Sequence, residues 1–443
     1  MRLLRAGWVL PVDGEPIADG AVAMADGVIV DVGPGGALAA RHSGAERRDL
    51  GADAIVMPGL VDAHCHLEWS CFDGVVGPRG FAQWLGAFLP LRSRMAPDDH
   101  LTAARHGAPR ALGAGTTTLA DSGPTGAGVR ALSETGQRGS VHLEAFGTER
   151  GEEAAALAAR VADDVAALAG QAAAMAGDRV TVGVSPHAPY SVGSGFWSAL
   201  AARPDLRVRP WATHIAESPD EERAIVHRDG ALADLFARAG FPLGRWDGPD
   251  AGVAGRMDTG GALRAGLIAA HCVRLHPGDA ARLRSRDVRV AHCPRSNTHL
   301  ECGTAPLATL LAEGVNVALG TDSPASGGDY DLRAEARACR AVHGDDAPGD
   351  ARLVRLITLD AARALGFGDR IGRLAPGALA DILVLRTAGG AAPDDPYAAA
   401  LHHASRVDLV MVAGEELVVP RIQTKIDAGH IAAGADAIAS RLR

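Results

Sequence analysis

Hydrophobic and polar positions follow two different periods along the chain, and the period changes twice. Up to residue 57, short apolar runs such as WVLPVDG (8–14), AVAMADGVIVDVG (21–33) and AIVMPG (54–59) stop at Gly/Asp turns. That is the texture of antiparallel strands, with hairpin turns expected at Asp13-Gly14 and Asp26-Gly27. The texture returns in GALADILVLR (377–386) and VDLVMVAGEELVV (407–419). Neither end has enough strands to bury a core alone. Residues 1–57 and 371–420 are therefore expected to share one small β-sandwich, with 421–443 as a peripheral helical tail.

Between these ends, over 58–370, eight short apolar runs alternate with long Ala/Leu/Arg-rich helical stretches such as 152–177. The runs are GLVDAHCHLE (59–68), GTTTLAD (115–121), SVHLEAFG (140–147), VTVGVSPHAP (180–189), VRPWATHIAE (208–217), GLIAAHCV (266–273), VRVAHCPRSN (288–297) and VNVALGTD (315–322). Eight such strands alternating with helices predict an α/β fold, a (β/α)8 TIM barrel. The Gly/Pro/Asp-rich segment 241–262 matches neither period and reads as a long loop near the barrel mouth.

Polar residues gather at the C-terminal ends of these strands, which in such a barrel face one shared mouth. They are His64 and His66 on the first, His187 on the fourth, His214 and Glu217 on the fifth, His271 on the sixth and Asp322 on the eighth. A single histidine at a strand end is usually a packing residue; five strands ending alike point to a site. Because side chains alternate along a strand, His64 and His66 project together while Cys65 points away. The same rule turns Cys272 and Cys293 from the site, so these cysteines read as small buried residues. His42, His100, His106, His227, His343, His402, His403 and His430 lie in helical or loop contexts and read as surface residues.

Three imidazoles and a carboxylate, from His64, His66, His214 and Asp322, make a metal site with room for water. The donor set suits one Zn²⁺ per chain, with Fe²⁺ as the alternative, and such an ion brings a bound water's pKa toward neutrality. Glu217 is placed to pass protons to a leaving nitrogen, and His271 to orient the water or polarise the group under attack. The competing reading of Glu217 is a helix-start carboxylate, since Ser218-Pro219-Asp220-Glu221 looks like a helix N-terminus.

Composition narrows the choice. The 443 residues are 47% hydrophobic and 22% charged, with net charge −9, a globular profile that argues against nucleic acid as a partner. No run is long and apolar enough for a membrane span, and Asp13 and Glu15 interrupt any signal-peptide core. Six cysteines without a paired CxxC suggest a reduced, cytoplasmic protein. A homodimer is compatible with the sequence. Among 44 basic residues there is a single lysine, Lys425. Schiff-base chemistry, a phosphate-loop lysine and a carbamylated-lysine metal bridge are thereby excluded from the body of the chain.

In this order, PGLVDAHCHL, THIAES, AAHCV and GTDS resemble the motifs of the amidohydrolase superfamily, in its mononuclear-metal deaminase and chlorohydrolase branch. The resemblance spans nearly the whole chain. It implies His64, His66, His214 and Asp322 as metal ligands, Glu217 as the proton shuttle and His271 as a contact to water or substrate. The missing lysine agrees, because the binuclear members bridge two metals with a strand-four lysine where this chain has only Ser185 and His187. SPHAPY is similar to a substrate-contacting segment of adenosine-type deaminases, which implies His187 near ribose or base.

HCPRSNTHLECG together with FAQWL most resembles aminofutalosine deaminases of the futalosine route to menaquinone. A pocket for that substrate needs an aromatic wall, for which Trp84 is the candidate, and a cation for its carboxylate, for which Arg295 is the candidate. The function expected is hydrolytic deamination of an adenine nucleoside, aminofutalosine to futalosine. The alternatives are S-adenosylhomocysteine, methylthioadenosine or guanine deamination; triazine dechlorination or cyclic amide hydrolysis; and, most remote, a non-catalytic scaffold.

Overall fold

Asp26 and Gly27 both have positive φ, +52° and +79°, as the primed two-residue turns that match strand twist require. In the computed structural model, which describes residues 1–249, 252–388, 390–418 and 428–443, they join β2 (Ile17–Ala25) to β3 (Val28–Pro34). Asp13-Gly14 is not such a turn. It lies in the broader loop between β1 (Arg2–Val9) and β2, opened because Leu10 N–H bonds to Val56 O (2.8 Å) and Pro11 O accepts from Leu374 N–H (3.0 Å). The backbone bonds a tight hairpin would close locally are made to β5 and to the loop at Leu374 instead.

β1 also pairs with β4 (Glu46–Asp49) and β5 (Ala54–Pro58). From the far end of the chain, β14 (Ile382–Arg386), β15 (Arg406–Val412) and β16 (Glu415–Val418) extend the same sheet in the order β16-β15-β14-β5-β1-β2-β3. The expected sandwich is thus one continuous sheet that curls over its own core. Ile29 exchanges backbone bonds with Gly377 and Ala378 (2.9 and 2.8 Å), and Val22, Met24, Val56, Ile382, Leu409 and Met411 fill the space between.

Each of the eight central runs overlaps one parallel barrel strand: β6 (Leu60–Cys65), β7 (Thr116–Gly123), β8 (Arg138–Ala145), β9 (Val180–Pro186), β10 (Trp211–Ile215), β11 (Leu267–His271), β12 (Arg289–His292) and β13 (Val317–Leu319). The barrel closes where β13 leads into Asp322. Asp322 N–H bonds to His64 O (2.9 Å), and His66 N–H to Asp322 O (3.2 Å). Only glycine fits at 320, since a Cβ there would lie 2.9 Å from His64 N and 2.8 Å from His64 O. At the opposite end of the barrel, a buried ion pair between Arg138 and Asp381 (3.1 Å) ties the start of β8 to the curled sheet.

The segment 241–262 is not all loop. It contains a helix, Val253–Thr259, with Val253, Ala254 and Met257 buried, a repeat too short to stand out in the sequence. Trp246, also buried, donates its indole N–H to Val192 O (2.9 Å) and Pro189 O (3.1 Å). Of the tail, 421–427 lie outside the described residues. Ala428–Leu442 is a helix whose Ala435, Ile438 and Leu442 join the main core, with Arg441 paired to Asp99. No helix among the described residues is long and apolar enough to cross a membrane.

Candidate metal centre and active site

The strand ends bring the predicted ligands together. His66 Nδ1–H donates to Ser122 O (2.8 Å) and His214 Nδ1–H to His187 O (2.7 Å). Those bonds fix both tautomers and leave each Nε2 as a lone pair. The two Nε2 atoms nevertheless face each other at 3.3 Å. Asp322 Oδ1 lies 3.4 Å from His66 Nε2 and 3.8 Å from His64 Nε2. His64 Nε2 is itself buried without a hydrogen-bond partner. Burial, then the neighbouring histidines His66 and His271, holds the His214 imidazole neutral, its pKa pushed down to about 3. The Nε2 atoms of His66 and His214, the unpartnered His64 Nε2 and Asp322 Oδ1 therefore converge, an arrangement that a cation satisfies. Ligand bonds of about 2.0–2.1 Å to a four-coordinate ion would separate the donors by roughly 3.4 Å. The residues fit one divalent metal ion.

Backbone strain aims several of these groups. Ala216, His271 and Asp322 adopt φ of +52°, +71° and +58°, a region that costs a non-glycine residue energy and recurs at functional sites. Asp322 is further held by Ser296, whose hydroxyl donates to Oδ2 (2.6 Å). Asp62, beneath the site, accepts from Thr321 Oγ (2.6 Å), Thr321 N–H (3.1 Å) and His64 N–H (3.2 Å), tying the β13 and β6 ends together.

Glu217 follows β10, buried, with Oε1 3.6 Å from His271 Nε2. Burial, then the charges of Asp322 and Glu221, pushes its carboxyl well above the usual range, which favours the protonated form. The helix-start reading belongs to a neighbour. Ser218 caps the helix Pro219–Glu222 by accepting from Glu221 N–H (3.1 Å), and Glu221 in turn accepts from Glu217 N–H (2.5 Å). Glu217 is left to face the site. His271 Nδ1–H donates to Asn297 Oδ1 (2.9 Å), which turns its Nε2 toward Glu217 and Asp322.

A cavity of about 670 Å³ opens from this cluster, bounded by His66, His214, Glu217, His271 and Asp322 at one end and by aromatic rings along its length. His187 lines it, its Nδ1 bonded to Ser191 Oγ (2.7 Å) and its ring 4.8 Å from Phe146. Trp84 lines it too, stacked on Phe88 at 4.8 Å, with its indole N–H on Ala325 O (3.0 Å). Arg295 does not reach the cavity. It sits at the start of the helix Pro294–His299, where Glu335 and Asp329 (2.7 Å) on the far side of the barrel wall take its guanidinium. His100 corrects the surface list in the other direction: it lines the cavity and pairs with buried Glu68 (2.9 Å).

The structure adds Arg92, Glu144 and Asn297 to the site, the last of them within HCPRSNTHLECG. Glu144 ends β8 with Oε1 3.6 Å from His66 Nδ1, and the strand-end rule applied to SVHLEAFG would have found it. Arg92 ends the helix that carries FAQWL, and only the folded chain brings it to the cavity.

The barrel and the site at its mouth define a hydrolase that acts on C–N bonds. The chain belongs to the amidohydrolase family, whose profile matches residues 55–417. A 5-methylthioadenosine/S-adenosylhomocysteine deaminase of Desulforudis audaxviator is 31% identical over 454 aligned positions, 100% of this chain and 99% of that protein. The crystal structure of an adenosine deaminase from Xanthomonas campestris with bound zinc superposes with TM-score 0.81 at 27% identity, over 100% of this chain and 98% of that one. An aminofutalosine deaminase of Helicobacter pylori superposes with TM-score 0.78, over 94% of this chain and 100% of its own, but at 20% identity shares the fold alone.

Proposed function

We propose that the protein is a hydrolytic deaminase of 5′-substituted adenosines, using one divalent metal ion held by His64, His66, His214 and Asp322, Zn²⁺ before Fe²⁺. The observation that carries this reading is the buried, partnerless His64 Nε2 beside the facing Nε2 atoms of His66 and His214, with buried Glu217 lining the same cavity. We assign the catalytic unit to 58–370 and the curled sheet to 1–57 with 371–420. When bound, the ion would supply Lewis acidity and make a water nucleophilic near neutral pH.

The chain's own groups then move the protons. Glu217 donates to N1 of the adenine ring as the water oxygen bonds to C6, and Asp322, with His271 facing it, accepts a proton from that water. Glu217 then takes the proton of the new C6 hydroxyl and delivers it to the exocyclic amine, and Asp322 returns its proton to Glu217, restoring both groups. The C6–N6 bond breaks and ammonia leaves. Of the water's two protons, one ends on N1 and one on ammonia, so the carbonyl product balances. His187 and Trp84 flank the nucleoside.

Within this class we place S-adenosylhomocysteine and methylthioadenosine first, because a relative similar along the full chain carries those substrates in its name. Aminofutalosine is second, supported by the FAQWL and HCPRSNTHLECG segments and by the aromatic cavity wall. Steady-state ammonia release from these three, with guanine beside them and chloride release from a chlorotriazine as the contrast, tests the substrate class. Turnover of the triazine without ammonia from any adenine nucleoside would sink the reading. Glu217→Gln should keep the metal and lose about 10²–10⁴-fold in kcat; near-normal turnover would remove Glu217 from the proton path.

A further inference from the structure

Arg92 is the one arginine or lysine among the described residues that line the cavity. Its guanidinium lies over the ring of Trp69, 5.0 Å from the centroid, and over that of Phe146 at 5.4 Å. Among the described residues no carboxylate lies within ion-pair distance of it. Glu144, the nearby acid, instead places Oε1 3.6 Å from His66 Nδ1. The aromatic rings on which the guanidinium lies stabilise the cation through their faces but take none of its N–H donors. A cation so placed, near enough to buried Glu144 to feel its charge but not paired with it, is short of a bidentate anionic partner.

Its position says which part of a ligand would supply that partner. From His214 at the metal cluster, the ring contacts run to His187 at 4.9 Å, from His187 to Phe146 at 4.8 Å, and from Phe146 to Arg92 at 5.4 Å. A nucleoside with its base against the cluster would extend its 5′ substituent along this wall. We infer that Arg92, on its platform of Trp69 and Phe146, is the anion subsite that selects adenosines whose 5′ substituent ends in a carboxylate over those whose substituent is neutral. The inference rests on the proposed deaminase reading for the orientation of the ligand. It gives Arg92 the part that the sequence suggested for Arg295, whose charge is already matched by Glu335 and Asp329.

The test compares a 5′-thioether adenosine ending in a carboxylate with its primary amide, a pair alike in size and differing in charge. The wild type should prefer the carboxylate in kcat/KM. In Arg92→Met, which keeps an apolar stem, that preference should fall by about 10–100-fold, mainly through KM, as loss of a charge-assisted pair implies. Arg92→Lys should retain part of it. A preference equal in wild type and Arg92→Met, or no preference in the wild type, would overturn the assignment. Calorimetric binding of the same two ligands to Glu217→Gln and to Glu217→Gln/Arg92→Met reads the subsite without turnover. Loss of carboxylate binding in the double variant supports the subsite even if no nucleoside is deaminated, whereas equal binding refutes it even if deamination is robust. The two proposals therefore fail separately.

Discussion

At the residue scale, the chemistry depends on which ring nitrogens carry protons. Ser122 O and His187 O accept from the Nδ1 atoms of His66 and His214, so the Nε2 lone pairs are preset toward one point. His271 is set by the same logic through Asn297, whose Oδ1 takes the Nδ1 proton and whose amide nitrogen lies 3.4 Å from His292 Nδ1. Asn297 thus acts through His271 as a positioning residue. Asn297→Leu should lower kcat about tenfold or more with KM and metal content nearly constant, since partners that orient a site histidine carry effects of that order. A drop in metal content or a matched change in KM would show that it supports the fold instead. These bonds explain what the sequence disclosed. His64, His66, His214, Glu217, His271 and Asp322 were legible because they all end strands. Asn297 was not, because it lies inside a helix and meets His271 only in three dimensions; nor was the difference between Arg92 and Arg295, which turns on where acidic partners fall.

At the element scale, the site depends on how the barrel is closed. β13 is only three residues long, and it meets β6 through backbone bonds made by Asp322, His64 and His66, three of the four proposed ligands. Ligand geometry and barrel closure are therefore one structure. Gly320→Ala should push His64 and Asp322 apart, because the new Cβ would sit under 3.0 Å from the His64 backbone. The expected result is a melting temperature lower by several degrees, from a cost of about 1–3 kcal/mol, with weakened metal retention through dialysis. A variant with wild-type stability and full metal content would show that the seam is more pliable than the contacts imply. Hydrophobic period showed all eight strands but not this seam. Nor did it show the left-handed backbone at Ala216, His271 and Asp322, because such strain is imposed by tertiary bonds and leaves no mark on residue type. The helix Val253–Thr259 was hidden for a different reason: two turns amid Gly and Pro carry too few apolar positions to reveal a period.

At the scale of the whole molecule, the two chain ends form the curled sheet, and the barrel between them points its strand C-termini away from it. The buried Arg138–Asp381 pair anchors the barrel's opposite end, so the mouth can hold strained, polar residues while the base is fixed by packing and charge. No lysine stands among the described residues, which agrees with one ion rather than a lysine-bridged pair. In the proposed function, one ion on His64, His66, His214 and Asp322 makes the chain a deaminase. The most direct test is a titration of metal-stripped protein with Zn²⁺, following bound zinc and ammonia release from S-adenosylhomocysteine together. Both should rise linearly and saturate at about one ion per chain. Full ammonia release without metal, or activity that saturates only at two ions per chain, would contradict it.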